Sequence, residues 1–361
     1  MTPVRVALIG FGYAGRVFHA PLIAATPGLE LAVLGTRRST AETGHPEVLA
    51  VPDPLADARH PAADLVVIAT PNDSHVPLAE AALRAGKHVV VDKPFTLTLA
   101  EARSLASLAL ERGLVLSVFQ NRRWDSDFLA VREAIAGGEI GEVLELRSEM
   151  SRYRPEVRDR WRERPGPGSG LWYDLGPHLV DQALLLFGPP ETVAADLRVQ
   201  RSGGGAVDWF QATLGYGGTR VILTASMLAA SPAPRFVVRG TRGSLVKARW
   251  DPQEERLVTG ARPGGKGWGR DLDPLTMYRG DPPVAEEVPT PAGDYPAYYA
   301  GVRDAILTGA EPPVTAAEGC AVMAVIEAGE RSSSEGRVVS PGLAGAEFGS
   351  KNRSAAPVAD R

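Results

Sequence analysis

Through residue 120 the chain alternates short apolar runs with helical ones, and this alternation restricts the fold more than any other feature. Val4–Ile9 (V-R-V-A-L-I), residues 29–34, residues 64–69 (D-L-V-V-I-A), His88–Val91 and residues 114–119 read as strands. They are near-continuous apolar runs, as parallel strands covered on both faces are. Between them, residues 13–25, 75–85 and 98–112 read as helices. Pro21 opens a second turn after a break in the first helix, and Gly86 stops the second. Thr98 followed by Glu101 forms a capping-box pattern at the start of the third. Strands separated by helices mean stacked βαβ units, hence a doubly wound parallel sheet.

The texture changes after Asn121. Residues 126–136 look helical, residues 143–150 alternate like a half-buried strand, and residues 171–187 form a long apolar helix. Strand candidates follow at 192–199, 207–216, 219–226, 235–240 and 243–249, with two closing helices at 296–308 and 315–332. This predicts a mainly antiparallel open sheet with helices on one face. The expected division is residues 1–121, residues 122–340, and a disordered tail at 341–361 that lacks periodicity. The length of 361 residues suits two domains at ~150 residues each. With 43 acidic and 39 basic residues the net charge is −4, which argues against a chain-wide nucleic-acid footprint. No apolar run is long enough to span a bilayer. No basic and apolar leader precedes the first strand, so a cytoplasmic protein is expected.

Gly10-Phe11-Gly12-Tyr13-Ala14-Gly15 is a G-x-G-x-x-G turn placed after the first strand and opening the first helix. That context makes it a dinucleotide-binding signal. Gly10 permits the tight turn, Gly12 leaves room for a pyrophosphate, Gly15 lets helix and strand pack, and the helix start offers free N–H groups. The end of the second strand reads Gly35-Thr36-Arg37-Arg38, with no carboxylate for a ribose 2′-hydroxyl. Thr36, Arg37 and Arg38 suit a 2′-phosphate instead, so NADP(H) is favoured over NAD(H).

Further motifs follow: Ala69-Thr70-Pro71-Asn72 with His75, then Ala85-Gly86-Lys87-His88-Val89, then Asp92-Lys93-Pro94, then Asp174 and His178. With the glycine turn, these resemble the Gfo/Idh/MocA family (glucose–fructose oxidoreductase, inositol dehydrogenase) through residue 340. The family's E-K-P is D-K-P here. The strings F-H-A-P-L-I, Q-N-R-R-W-D and G-S-G-L-W-Y-D-L-G-P-H-L-V-D-Q look like the branch of NADP-dependent scyllo-inositol dehydrogenases. The resemblance implies a Rossmann domain and a C-terminal α/β domain whose open sheet supports a homodimer or homotetramer. It implies that Thr70, Pro71, Asn72, His75, Pro94 and Asn121 line the cofactor site, and that Lys93 faces substrate and nicotinamide ribose before a cis Lys93–Pro94 bond. It also implies that Trp161 and Arg162 reach the cofactor, that Tyr298 or Tyr299 approaches the nicotinamide, and that Tyr153 and Tyr173 join Lys93, Asp174 and His178 around substrate.

Oxidising a secondary alcohol requires a hydride acceptor, a base for the hydroxyl proton and stabilisation of the oxygen. Asp174 and His178, four apart on a helix, project from one face. Lys93 ends a parallel strand, where ligands bind in such sheets. His178 is assigned as general acid/base, Asp174 as orienting and substrate-binding carboxylate, and Lys93 as the ammonium that stabilises alkoxide character. Proton transfer by Lys93 itself is the alternative. A zinc dehydrogenase lacks support, with one cysteine and six scattered histidines, so no metal is expected. His19 reads as structural and Cys320 as a buried inert thiol.

The arginines at 152, 154, 158, 160, 162 and 164 read either as a solvated loop with internal pairs or as a cleft lid hinged on Gly166, Gly168 and Gly170. The reading that results is an NADP(H)-dependent oxidoreductase acting on a polyol or sugar, with scyllo-inositol and its inosose the best single substrate pair. An NAD-dependent glycosidase and a non-catalytic NADP-binding regulator are the competing readings.

Overall fold

The computed structural model describes residues 2–38, 44, 49–51 and 53–343. By contact the chain forms two compact units, Met1–Trp124 with Pro252–Gly269 and Asp294–Met323, and Asp125–Asp251 with Arg270–Gly293 and Ala324–Arg361. These units are interleaved along the sequence, whereas the division at residue 121 follows the order of the motifs. Most of the tail expected at 341–361 lies outside the described residues.

In the first unit β1 (Val4–Ile9), β2 (Leu29–Gly35), β3 (Leu49–Val51), β4 (Leu65–Ile68), β5 (His88–Val91) and β6 (Leu116–Val118) form an all-parallel sheet of order β3-β2-β1-β4-β5-β6. The side chains of β4 are fully buried, because helices cover both faces of such a sheet. The first helix is not broken. It continues as a π-helical turn at Gly15–His19 into α1 (Ala20–Ala25). The Ala20 N–H bonds back to the Gly15 carbonyl, and Pro21 sits in the first turn of α1, where its missing N–H is tolerated. Then come α2 (Pro54–Asp57), α3 (His75–Arg84) and α4 (Leu99–Arg112). The capping box of α4 is complete: Thr98 Oγ1 accepts the Glu101 N–H at 3.2 Å, and the Glu101 carboxylate accepts the Thr98 N–H at 2.9 Å.

The second unit holds α5 (Ser126–Ala136), β7 (Val143–Glu149), α6 (Gly170–Phe187), β8 (Thr192–Arg198), β9 (Trp209–Tyr216), β10 (Thr219–Ser226), β11 (Phe236–Gly240) and β12 (Gly243–Lys247). After α7 (Gln253–Val258), which belongs to the first unit, β13 (Leu275–Arg279) and β14 (Val284–Val288) complete an eight-stranded sheet. Its order is β14-β13-β12-β11-β7-β10-β9-β8, antiparallel except where β7 meets β10. Register explains its core. Val193, Leu214, Val221, Leu146, Val238, Leu245 and Met277 stand in one row across seven strands, and all are buried. Period-two alternation puts this row on the face that α6 covers. Sequence periodicity does not reveal α7, β13 or β14, which are only five or six residues long. The last helices are α8 (Pro296–Thr308) and α9 (Ala316–Glu335), and α9 passes from the first unit into the second at Met323.

Candidate functional site

In the first unit the motifs converge beyond the carboxyl ends of the strands, where ligands bind in open parallel sheets. Gly10 has φ +96°, and a Cβ there would lie 2.5 Å from the Ala69 carbonyl oxygen. A Cβ on Gly15 would lie 2.0 Å from the Gly10 carbonyl oxygen, so only glycine lets the helix start this close to the turn. A Cβ on Gly12 would meet nothing within 4 Å. Two crowded glycines and one facing open space fit a turn built for a pyrophosphate. Phe11 is buried and Tyr13 half-exposed, and Ala14 opens the helical turn. Thr36, Arg37 and Arg38 follow β2, with both arginines exposed and the Arg38 N–H bonded to Thr36 Oγ1.

The turn after β4 and the turn after β5 are joined by one imidazole. His75 is buried, with Nδ1 2.9 Å from the Pro94 carbonyl oxygen and Nε2 3.1 Å from that of Thr70. Burial pushes its pKa below the ordinary value against the pull of Asp92. Neutral, it donates to one of these carbonyls and keeps both turns in place. Ser74 Oγ donates at 2.6 Å to Thr70 Oγ1 or the Pro71 carbonyl, which fixes the Thr70–Pro71–Asn72 turn. The Lys93–Pro94 peptide is cis. Lys93 is held from its other side as well: its N–H donates to Asp92 Oδ1 at 2.8 Å.

Asp92 belongs to a buried chain that sequence reading did not assemble. His19 Nε2 lies 3.7 Å from Asp92 Oδ2, and His19 Nδ1 lies 2.6 Å from the Tyr299 hydroxyl. Burial pushes the Asp92 carboxyl up, but His19, Lys93 and His75 outweigh it and hold the group below its ordinary value. Tyr298 is buried too, its hydroxyl 2.9 Å from Ser117 Oγ, and burial raises both phenols. Both tyrosines are thus engaged within the protein. Asn121 is buried where β6 ends. His19, Asp92 and Tyr299 lie far apart in the chain, so no local spacing could have grouped them.

In the second unit Asp174 and His178 stand one turn apart on α6. Arg162 Nε lies 3.6 Å from Asp174 Oδ1, and its guanidinium stacks on Trp161 at 4.7 Å. Asp174, Arg160, Arg162, Glu163 and Arg201 line one recess with Leu171, Val207 and Met227. Most of this charge is matched internally. Arg160 pairs with Glu163 at 2.6 Å, Arg164 with Asp159 at 2.6 Å, and buried Arg201 with Glu163 at 3.0 Å and Asp208 at 2.9 Å. His178 is buried. Tyr173 lies on a different side of α6, its hydroxyl donating to Glu330 at 2.9 Å, and Tyr153 is exposed beside Leu228. The structure therefore groups Trp161, Arg162 and Asp174 but directs the Tyr173 hydroxyl elsewhere. Cys320 is half-buried rather than fully buried, and burial pushes its thiol up to about 11. Among the described residues no group of three or more His, Cys, Asp or Glu could hold a metal ion, and no helix is long and apolar enough to cross a membrane.

Comparison with known proteins agrees with this geometry. Residues 4–120 match the model described as "Oxidoreductase family, NAD-binding Rossmann fold", and residues 132–340 match "Oxidoreductase family, C-terminal alpha/beta domain". The chain is 53% identical to the Escherichia coli protein named "Uncharacterized oxidoreductase YdgJ", over 91% of this chain and 96% of that one. It is 37% identical to scyllo-inositol 2-dehydrogenase (NADP(+)) IolW of Bacillus subtilis, over 93% and 95% respectively. A solved structure from Yersinia pestis superposes with a TM-score of 0.89 at 48% identity, covering 94% of this chain and 97% of that one.

Proposed function

Because this chain belongs to the Gfo/Idh/MocA oxidoreductase family, we propose that it interconverts a ring secondary alcohol and a ketone on a polyol or sugar with NADP(H), scyllo-inositol and its inosose being the substrate pair. The observation that carries this reading is α6, which presents Asp174 and His178 one turn apart, with Arg162 beside Asp174. When bound, the nicotinamide supplies or receives the hydride. His178 takes the hydroxyl proton in oxidation and returns it in reduction, as suits an imidazole near neutral pH. Asp174 orients a substrate hydroxyl by accepting its hydrogen bond. Lys93, fixed through its own N–H and through Pro94, places an ammonium that stabilises negative charge on the oxygen. Gly10 to Gly15, Thr70, Pro71, Asn72 and Asn121 hold the dinucleotide.

The exposed pair Arg37 and Arg38 after β2, with no acid in Gly35-Thr36-Arg37-Arg38, supports NADP(H) over NAD(H). Exposed Leu144 on β7 and Tyr278 on β13 support assembly of copies through the open sheet, as a homodimer or homotetramer, and the enzyme is assigned to the cytoplasm. The test is a panel of inososes and ketosugars with NADPH and NADH, and of inositols with the oxidised forms. Net oxidation of NADPH by an inosose supports the reading. Sugar release without net cofactor turnover would establish a glycosidase instead. Binding without turnover, and with function unchanged in Lys93→Ala and His178→Ala, would establish a regulator.

A further inference from the structure

Glu254 lies outside every motif named above. It is carried by α7, part of a Pro252–Gly269 segment that comes late in the sequence yet belongs to the first compact unit. This helix packs on the Gly15–His19 turn. Its neighbour Gln253 is buried and anchors the segment: its amide NH₂ donates to the Trp124 carbonyl at 3.0 Å, and its carbonyl accepts the Tyr295 N–H at 2.8 Å.

The Glu254 carboxylate makes two connections from this anchor. Oε1 accepts from the Tyr13 hydroxyl at 3.0 Å, and Oε2 accepts from Arg122 Nη2 at 2.7 Å. Tyr13 is in the glycine turn after β1, and Arg122 is in the turn after β6. Two strands, β4 and β5, separate β1 from β6 in the sheet. At the usual strand spacing β1 and β6 are about 14 Å apart. One carboxylate therefore ties together two turns three strand positions apart, from the middle of the sheet to its β6 side, along the carboxyl edge where a dinucleotide lies in such sheets. We infer that Pro252–Gly269 is a strap across the dinucleotide site and that Glu254 is its latch, a positioning residue for cofactor retention.

The two connections differ in a way that suits a latch. The side chain of Arg122 is 8% exposed, so its ion pair with Glu254 is the sheltered, permanent end. Tyr13 is 50% exposed, so its bond is the end that water can compete for and that can open. This inference uses only dinucleotide binding by the first unit, and neither the NADP preference nor the substrate assignment. Stopped-flow fluorescence should follow binding and release of NADPH and NADH by the full chain, for wild type, Tyr13→Phe, Glu254→Ala and the double variant. Tyr13→Phe keeps the ring and its edge contact with Phe18 and removes only the hydroxyl.

The expected result is release about fivefold faster in Tyr13→Phe, the usual worth of one hydrogen bond, with association changed less than about twofold. Release should be faster still in Glu254→Ala, and adding Tyr13→Phe to Glu254→Ala should change nothing further. An unchanged release rate in Tyr13→Phe, effects that multiply in the double variant, or tighter binding on losing Glu254 would overturn the latch. Wild type that binds only one of the two dinucleotides decides the phosphate preference and leaves the latch test intact on that one. Wild type that binds neither overturns both readings.

Discussion

Replacing Asp57 by Asn should stabilise the protein at alkaline pH and leave it almost unchanged in acid. Asp57 closes α2 and is fully buried, and neither carboxyl oxygen has a hydrogen-bond partner among the described residues. It sits against the end of β2, so close that a Cβ on Gly35 would be 2.5 Å from its Oδ2. Burial, and secondarily the charge of Asp53, pushes its carboxyl from 3.8 up to about 7. In the unfolded chain it titrates near the ordinary value. Below about pH 4 both states hold the proton and the group costs nothing. Between about pH 4 and 7 the unfolded chain ionises first, so stability falls as pH rises, then levels off above the folded value. A gap of about 3 units corresponds to about 4 kcal/mol at pH 8.

Asn keeps the shape of the protonated carboxyl but does not titrate. Urea unfolding of wild type and Asp57→Asn at pH values from 4.5 to 8 measures the effect. The stability difference should grow in favour of Asn by about 1.4 kcal/mol per pH unit through the middle of this range. A difference that stays flat with pH, or wild type the more stable at pH 8, would refute the reasoning, because a mere packing defect shifts all pH values equally.

The glycine turn separates steric from ligand effects. Gly15→Ala forces a Cβ onto the Gly10 carbonyl and should cost about 1–3 kcal/mol in denaturant unfolding as well as dinucleotide affinity. Gly12→Ala meets no atom within 4 Å, so it should unfold like wild type while dinucleotide titration shows weaker binding. Lys247→Ala removes a fully buried ammonium that lies 3.0 Å from Asp271 and also pairs with Asp273, and leaves those acids facing each other. Urea unfolding should show a loss of about 3–5 kcal/mol. With its thiol at about 11, Cys320 should react with a disulfide reagent at pH 8 at least about 100-fold more slowly in the folded protein than after unfolding.

Much of the fold is legible because its signals are local. An apolar run such as Val4–Ile9 can be read as a buried parallel strand within six residues, and Thr98 with Glu101 marks a helix start within four. Gly15 is equally local, since a Cβ there would meet the Gly10 carbonyl, whereas what crowds Gly10 is the Ala69 carbonyl brought in from the end of β4. Asp174 and His178 come one turn apart from helical geometry alone. The short elements at the end were not legible in the same way. β14 is an edge strand exposed along nearly its whole length, so the side-chain alternation that reveals strands is absent there.

The sequence by itself determined the alternation of the main strands and helices through residue 120, the turn that approaches a pyrophosphate and the one-turn spacing of the α6 pair, since each depends on residues a few positions apart. Only the tertiary structure decided which distant side chains complete those parts. His19 links Asp92 to Tyr299, His75 ties the Thr70 turn to Pro94, and Glu254, 241 residues on from Tyr13, joins it to Arg122. Such pairs form because a buried polar group left without a partner costs stability, as Asp57 illustrates, and that cost leaves no periodic trace in the sequence.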